Sequence, residues 1–163
     1  MDQAPHGTFW WKLKLLGAMA LIACGMARFL LGVPPAVVVP ILWAQILVLT
    51  GGGIVLVHYG LLQRRRGRFD RPEELLTRGG LFPVVRHPMY LGDVVMNLGW
   101  TLLAGSWLAF WLYGFCLVAL QLQARVEDRY LAERFPEAHR HWRLHTGLLW
   151  PRALTLRRWP PHR

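Results

Sequence analysis

Seven consecutive residues, Arg86-His87-Pro88-Met89-Tyr90-Leu91-Gly92, set a guanidinium, an imidazole and a phenol at the start of a strongly apolar stretch. Polar and ionisable groups at the mouth of a membrane helix are costly, so such a cluster marks a functional site by default. An acidic pair, Glu127-Asp128, follows the next apolar stretch. Cationic, anionic and aromatic walls together suit a zwitterionic ligand that carries a flat ring.

Helix arithmetic brings the two groups together. With a turn at Gly105-Ser106, counting back to His87 crosses about 18 residues and counting forward to Glu127 crosses about 21, so at a constant rise both reach nearly the same height. Singly, each residue has an ordinary role. Arg86 is a membrane-flanking arginine, His87 and Tyr90 are interfacial side chains, and Pro88 suits a first helical position. Asp128 pairs with Arg125 at i−3. The coincidence of height is what points to a site.

Asp93 lies about one turn inside the apolar stretch, where a carboxylate would orient an amine or accept its proton. Its plainer role is a snorkelled or paired acid. Asn97 lies one turn deeper on the same face and extends a polar track. His58 reads as a helix-end histidine, and Arg28 as a snorkelling arginine at the far end of the first span.

The elements that hold these residues follow from hydropathy. Of 163 residues, 54% are apolar and nine are Trp. Ala36 to Tyr59 and Thr101 to Ala124 contain no Asp, Glu, Lys or Arg. Such runs are long enough to span a bilayer. The first span is expected over residues 9–31, the second over 36–61 after the Val33-Pro34-Pro35 turn. Residues 89–124 carry one charge, Asp93. As a single helix they would measure roughly 54 Å, well beyond a ~30 Å hydrocarbon core. The Gly105-Ser106 turn therefore divides them into spans over 89–104 and 107–124. The expected fold is an all-α integral membrane protein of one domain, with four spans in two hairpins; the alternative is three spans, with residues 89–100 lying in the interface. A cytoplasmic helical extension covers 125–151, with an amphipathic helix from Arg125 to about Phe135, and a basic tail covers 152–163. In the 62–88 connector, Pro72-Glu73-Glu74 suits a short helix start, and Gly79-Gly80 its end.

Of 19 Lys and Arg, seven fall between Leu61 and Pro88 and nine between Arg125 and the end. The Val33-Pro35 and Gly105-Ser106 loops have none. The positive-inside rule then puts both termini and the 62–88 connector in the cytoplasm. The net charge of +10 is a topology signal. The basic residues flank spans and form no groove-reading motif, which argues against a nucleic-acid partner. Cys24 and Cys116 lie inside apolar spans without metal-ligand spacing, so no metal is expected. Leu21-Ile22-Ala23-Cys24 is similar to a lipoprotein cleavage site, but the apolar run continues past it and reads as a span.

These residues resemble the membrane-embedded methyltransferases of the phospholipid methyltransferase and isoprenylcysteine carboxyl methyltransferase superfamily. Arg86 to Gly92 matches that family's Arg-His-Pro-x-Tyr-x-Gly motif in full, and Glu127-Asp128 stands for its Glu-Glu. Leu131 and Phe135 are in register, and Leu76-Thr77-Arg78-Gly79-Gly80-Leu81-Phe82 stands where that family has a Leu-Val-Thr-x-Gly-Pro-Tyr-like approach to the motif. The chain departs from the pattern at Phe82 for Tyr, Pro136 for Gly, and His139 and Trp142 for two tyrosines. It departs again at Gly147-Leu148, where Pro-Arg is usual, while Pro151 remains. The resemblance implies S-adenosylmethionine as methyl donor. Arg86 and His87 would hold its carboxylate, and Glu127 and Asp128 its amino group or ribose. Tyr90 would line the pocket, and Leu76, Gly80 and Phe82 would flank the adenine. The lipophilic acceptor would enter from the bilayer near Asp93, Asn97 and His139. An ethanolamine phospholipid, a prenylcysteine carboxylate and a small thiol are all compatible acceptors. Two alternatives stand beside this reading. One is a nicotinamide-dependent sterol-type reductase, which shares this membrane core in longer chains. The other is a non-catalytic membrane protein binding lipid headgroups.

Overall fold

The structure, a computed structural model, describes residues 9–65, 74 and 79–152. Among these it is all-helical, with five helices in the order α1 (Phe9–Leu31), α2 (Ile41–Arg65), α3 (Pro88–Ala104), α4 (Trp107–Arg134) and α5 (Pro136–His145). α1, α2 and α4 are each long and apolar enough to cross a membrane. α3, with 17 residues, is shorter and spans about 26 Å at the α-helical rise. The short helix expected between Pro72 and Gly79 lies outside the described residues apart from Glu74, and so does the tail from residue 153.

Two boundaries differ from expectation for local reasons. α2 begins at Ile41, five residues later than the apolar pattern suggests. Pro40 disfavours a helical conformation at Val39. The amides of Ala36 and Val37 are instead bound to the Gly105 carbonyl, at 2.8 and 2.9 Å. α4 runs unbroken through residue 125, where a separate amphipathic helix was expected. The change in composition there marks a change of surroundings, and nothing in Gln123-Ala124-Arg125 breaks a helix. The 28 residues of α4 measure about 42 Å against a ~30 Å hydrocarbon core, which leaves room for its charged end outside. Pro136 starts α5 at a first-turn position, with Glu137 beside it and Arg143 and His145 in the last turn. That placement suits the helix dipole.

The Gly105-Ser106 turn is present. Gly105 has φ +59°, a left-handed value that glycine adopts without penalty. Ser106 Oγ accepts the Ala109 amide at 3.2 Å and so caps the start of α4.

The chain divides into two compact units. The first comprises Met1–Gly53 and Gly92–Gln123, the second Ile54–Leu91 and Ala124–Arg163. In the first unit, Leu21, Ala104, Ala109 and Cys116 form a buried core with Cys24, Trp100, Leu112 and Tyr113 packed against it. Small residues let the helices approach closely, as membrane helices require. Gly51 of α2 lies against the backbone of Gly92 and Met96 in α3. Arg28 Nη1 donates to the Leu103 carbonyl at 2.6 Å. The Lys14 ammonium meets the Asp93 carboxylate at 2.7 Å.

The Gly51 contact makes a paired prediction. A β-carbon at Gly51 meets backbone, which cannot turn aside, whereas one at Gly52 meets nothing within 4 Å. Gly51→Ala is expected to destabilise the protein by about 1–3 kcal/mol through overpacking. Gly52→Ala should leave the melting temperature in detergent unchanged or slightly raised, since alanine is the better helix former. Equal melting temperatures for the two variants would rule out this packing.

Candidate functional site

The second unit gathers the polar residues of the motif. The Arg86 guanidinium donates from Nη1 to Asp128, 2.6 Å from Oδ1, and reaches Oδ2 as well. His139 of α5 lies 3.0 Å from the same Oδ1. Tyr90, in the first turn of α3, donates its hydroxyl to Glu127 Oε1. His87 Nδ1 is 3.4 Å from Glu127 Oε2. The His87 and Tyr90 rings stack at 5.4 Å, with 10° between their planes.

Backbone pairing fixes the approach to α3. Val85 forms a parallel bridge with Gly147. The Arg86 amide donates to the Gly147 carbonyl at 2.9 Å and the His87 amide to the Leu148 carbonyl at 3.1 Å. The chain must bend tightly there, since a β-carbon at Gly147 would collide with the Trp150 carbonyl. The segment before the motif is held from two sides. Trp142 donates its indole N–H to the Phe82 carbonyl at 2.8 Å. His58 of α2 accepts the Leu81 amide on Nδ1 at 3.1 Å. The Phe82 ring meets the His58 and Trp142 rings edge-on, at 4.8 and 6.0 Å. Gly80 has φ +48°, and a β-carbon there would lie 2.6 Å from His58 Nδ1.

Arg86, His87, Tyr90 and His139 are at least nine-tenths buried. Buried charge is tolerated only when paired and hydrogen-bonded. Asp128 meets that condition through Arg86 and His139. Two buried nitrogens do not: Arg86 Nε and His87 Nε2 have no hydrogen-bond partner among the described residues. Unmade hydrogen bonds of this kind cost about 1–3 kcal/mol each, and a ligand that bonds these nitrogens would remove that cost.

The structure therefore brings together Arg86, His87, Tyr90, Glu127, Asp128 and His139. His139, expected beside an acceptor, contacts Asp128. Gly80 and Phe82 form the turn held by His58 and Trp142. Leu76 lies outside the described residues. Asp93 and Asn97 belong to the first unit, where Asp93 is paired with Lys14. Asn97 is fully buried there, its Oδ1 without a hydrogen-bond partner. Sequence reasoning left the structural parts of His58 and Trp142 unread. The signal for His58 was an ionisable side chain in an otherwise apolar span.

Residues 39–138 match the profile of the phospholipid methyltransferase family. Among curated proteins, the chain is similar to a steroid 5-alpha-reductase DET2 from Gossypium hirsutum, 30% identical over 81 residues, covering 50% of this chain and 30% of that protein. It is also similar to a steroid 5-alpha-reductase DET2 from Solanum lycopersicum, 50% identical over 40 residues, covering 23% of this chain and 16% of that protein. The chain thus spans less than a third of the length of either relative. No solved structure matches.

The cluster predicts its own weak point. Asp128→Asn strips a buried arginine of its counter-charge. It is expected to destabilise the protein by about 3–5 kcal/mol, the usual effect of breaking a buried pair. Trp142→Phe removes one hydrogen bond and should cost about 1–3 kcal/mol. Chemical denaturation of the detergent-solubilised protein reads both. An Asp128→Asn variant as stable as wild type would show that Arg86 does not depend on that carboxylate.

Proposed function

The chain belongs to the phospholipid methyltransferase family, and on that premise we propose that it transfers a methyl group from S-adenosylmethionine to a lipid or lipidated acceptor. The observation that carries the reading is the second unit's cluster: two unpartnered buried nitrogens, the Arg86 Nε–H donor and His87 Nε2, beside the acidic pair Glu127-Asp128. Donors facing a carboxylate and acids facing an ammonium are what an amino-acid end of a ligand requires. When bound, S-adenosylmethionine supplies a sulfonium-activated methyl group.

Each residue then has a task. Arg86 and His87 hold the methionine carboxylate, and Glu127 and Asp128 take the amino group or ribose. Tyr90 closes the wall and fixes Glu127, while His139 positions Asp128. Gly80 and Phe82, with Leu76, would flank the adenine. No covalent enzyme intermediate is needed, so the protein's part is to orient the reacting groups and exclude water. Within the first unit, Asn97 is the stronger candidate for contact with a lipid acceptor, because its carboxamide is buried with an unpartnered oxygen. Asp93 is already neutralised by Lys14.

The membrane arrangement completes the reading. We take α3 as a fourth span, within the ~17–25 residue range for spanning helices. Both termini are cytoplasmic on the distribution of Lys and Arg.

A second reading, a nicotinamide-dependent reductase, is favoured by the similarity to steroid 5-alpha-reductases. Charge separates the two. Histidines aside, the described cluster holds one cation, Arg86, and two anions, Glu127 and Asp128. That balance suits a donor with net positive charge better than a polyanionic dinucleotide.

Calorimetry on the detergent-solubilised chain tests the choice. S-adenosylmethionine should bind saturably, and Glu127→Ala and His87→Ala should each weaken it by about tenfold or more, the equivalent of one charge-assisted hydrogen bond. NADPH binding without methyl-donor binding would establish the reductase instead. If neither binds, the headgroup-binding alternative stands. Labelled donor incubated with a lipid extract, then separated by class, identifies the acceptor.

A further inference from the structure

The first unit has a second feature that methyl transfer does not use. Between α1, α2 and α3 lies a groove of about 660 Å³, lined by residues that include Met26, Phe29, Leu49, Trp100 and Leu103. Gln45 is the one polar side chain in its lining. That volume falls in the ~300–1,000 Å³ range of ligand sites. Its wall residues Phe29 and Leu49 are exposed on the outer faces of membrane-spanning helices, where the surrounding solvent is lipid chain.

A cation stands at its rim. Arg28, in the last turn of α1, donates to the carbonyl of the lining residue Leu103. Its guanidinium lies 5.7 Å from the ring centre of the lining residue Phe29. Of the five N–H groups that a guanidinium carries, this hydrogen bond engages one. Asp93 is the sole acidic residue among the described residues of this unit, and it is paired with Lys14. No acid among the described residues of this unit is left to pair with Arg28.

We propose that this groove is a phospholipid site: one hydrocarbon chain occupies the apolar trough while Arg28 binds the lipid phosphate. Forked N–H donors match phosphate oxygens, and a half-buried position beside apolar walls strengthens the contact. The site shares no residue with the Arg86 cluster.

Native mass spectrometry of the full-length protein in detergent tests it, with dioleoyl phosphatidylglycerol and dioleoylglycerol as probes. The expected result is one phosphatidylglycerol per chain, with dioleoylglycerol held about tenfold less tightly for want of the charge-assisted hydrogen bond. Arg28→Gln should reduce phosphatidylglycerol to the dioleoylglycerol level. Leu49→Trp, which fills the groove, should weaken both lipids. Leu108→Trp, on an exposed position outside the groove, should change neither. Unchanged lipid binding in Arg28→Gln would overturn the phosphate contact, and unchanged binding in Leu49→Trp would overturn the groove. Dimers in place of lipid adducts, dissolved by Leu49→Trp, would make the occupant a second copy of the chain.

Discussion

The second unit depends on one buried ion pair. Arg86 and Asp128 are 7% and 15% exposed, and neither charge is stable in such surroundings alone. Once paired, they constrain much of the unit. Asp128 also contacts His139, so the pair fixes α5 against the charged end of α4. Arg86 gives its backbone amide to Gly147, so the segment after α5 is drawn alongside the entry to α3. Trp142, on α5, then reaches the Phe82 carbonyl. The approach loop, two helix ends and the segment after α5 converge because one guanidinium and one carboxylate cannot be buried separately.

The first unit handles the membrane's cost of polarity differently. Its one described acid is neutralised by Lys14, and Thr101 Oγ1 donates to the Asn97 carbonyl within its own helix at 2.8 Å. Lipid tails are as apolar as leucine, so burial alone does not drive helices together there. Close approach must supply the attraction, which is why Gly51 meets helix backbone. In such a unit a polar group left without a partner, such as Asn97 Oδ1, stands out more than it would in a water-soluble core.

The parts of the molecule legible from sequence were those governed by a constant rise per residue. A turn at Gly105-Ser106 and two counts along rigid helices were enough to set Arg86, His87 and Tyr90 opposite Glu127 and Asp128. The contacts that escaped are non-local and carried by backbone. Nothing in the types of Val85 or Gly147 announces a parallel bridge between them. The α2 start was misplaced because hydropathy reports the surroundings, while Pro40 and the Gly105 carbonyl decide the conformation. The same confusion of surroundings with conformation divided α4 at residue 125.

The departures from the family pattern look different once their contacts are known. Three fall on residues that hold the site's frame. His139, in place of a tyrosine, contacts Asp128. Trp142, in place of another, donates to Phe82. Gly147, where proline is usual, receives the Arg86 amide at a bend too tight for a β-carbon. A site drifting free of its function would be expected to lose such couplings, leaving donors and acceptors unpaired at random. Here the substituted residues are themselves hydrogen-bonded into the cluster. Among the described residues, the buried side-chain nitrogens without a partner are those of Arg86 and His87, both in the motif. The changed residues thus keep the frame around Arg86 and Asp128 connected.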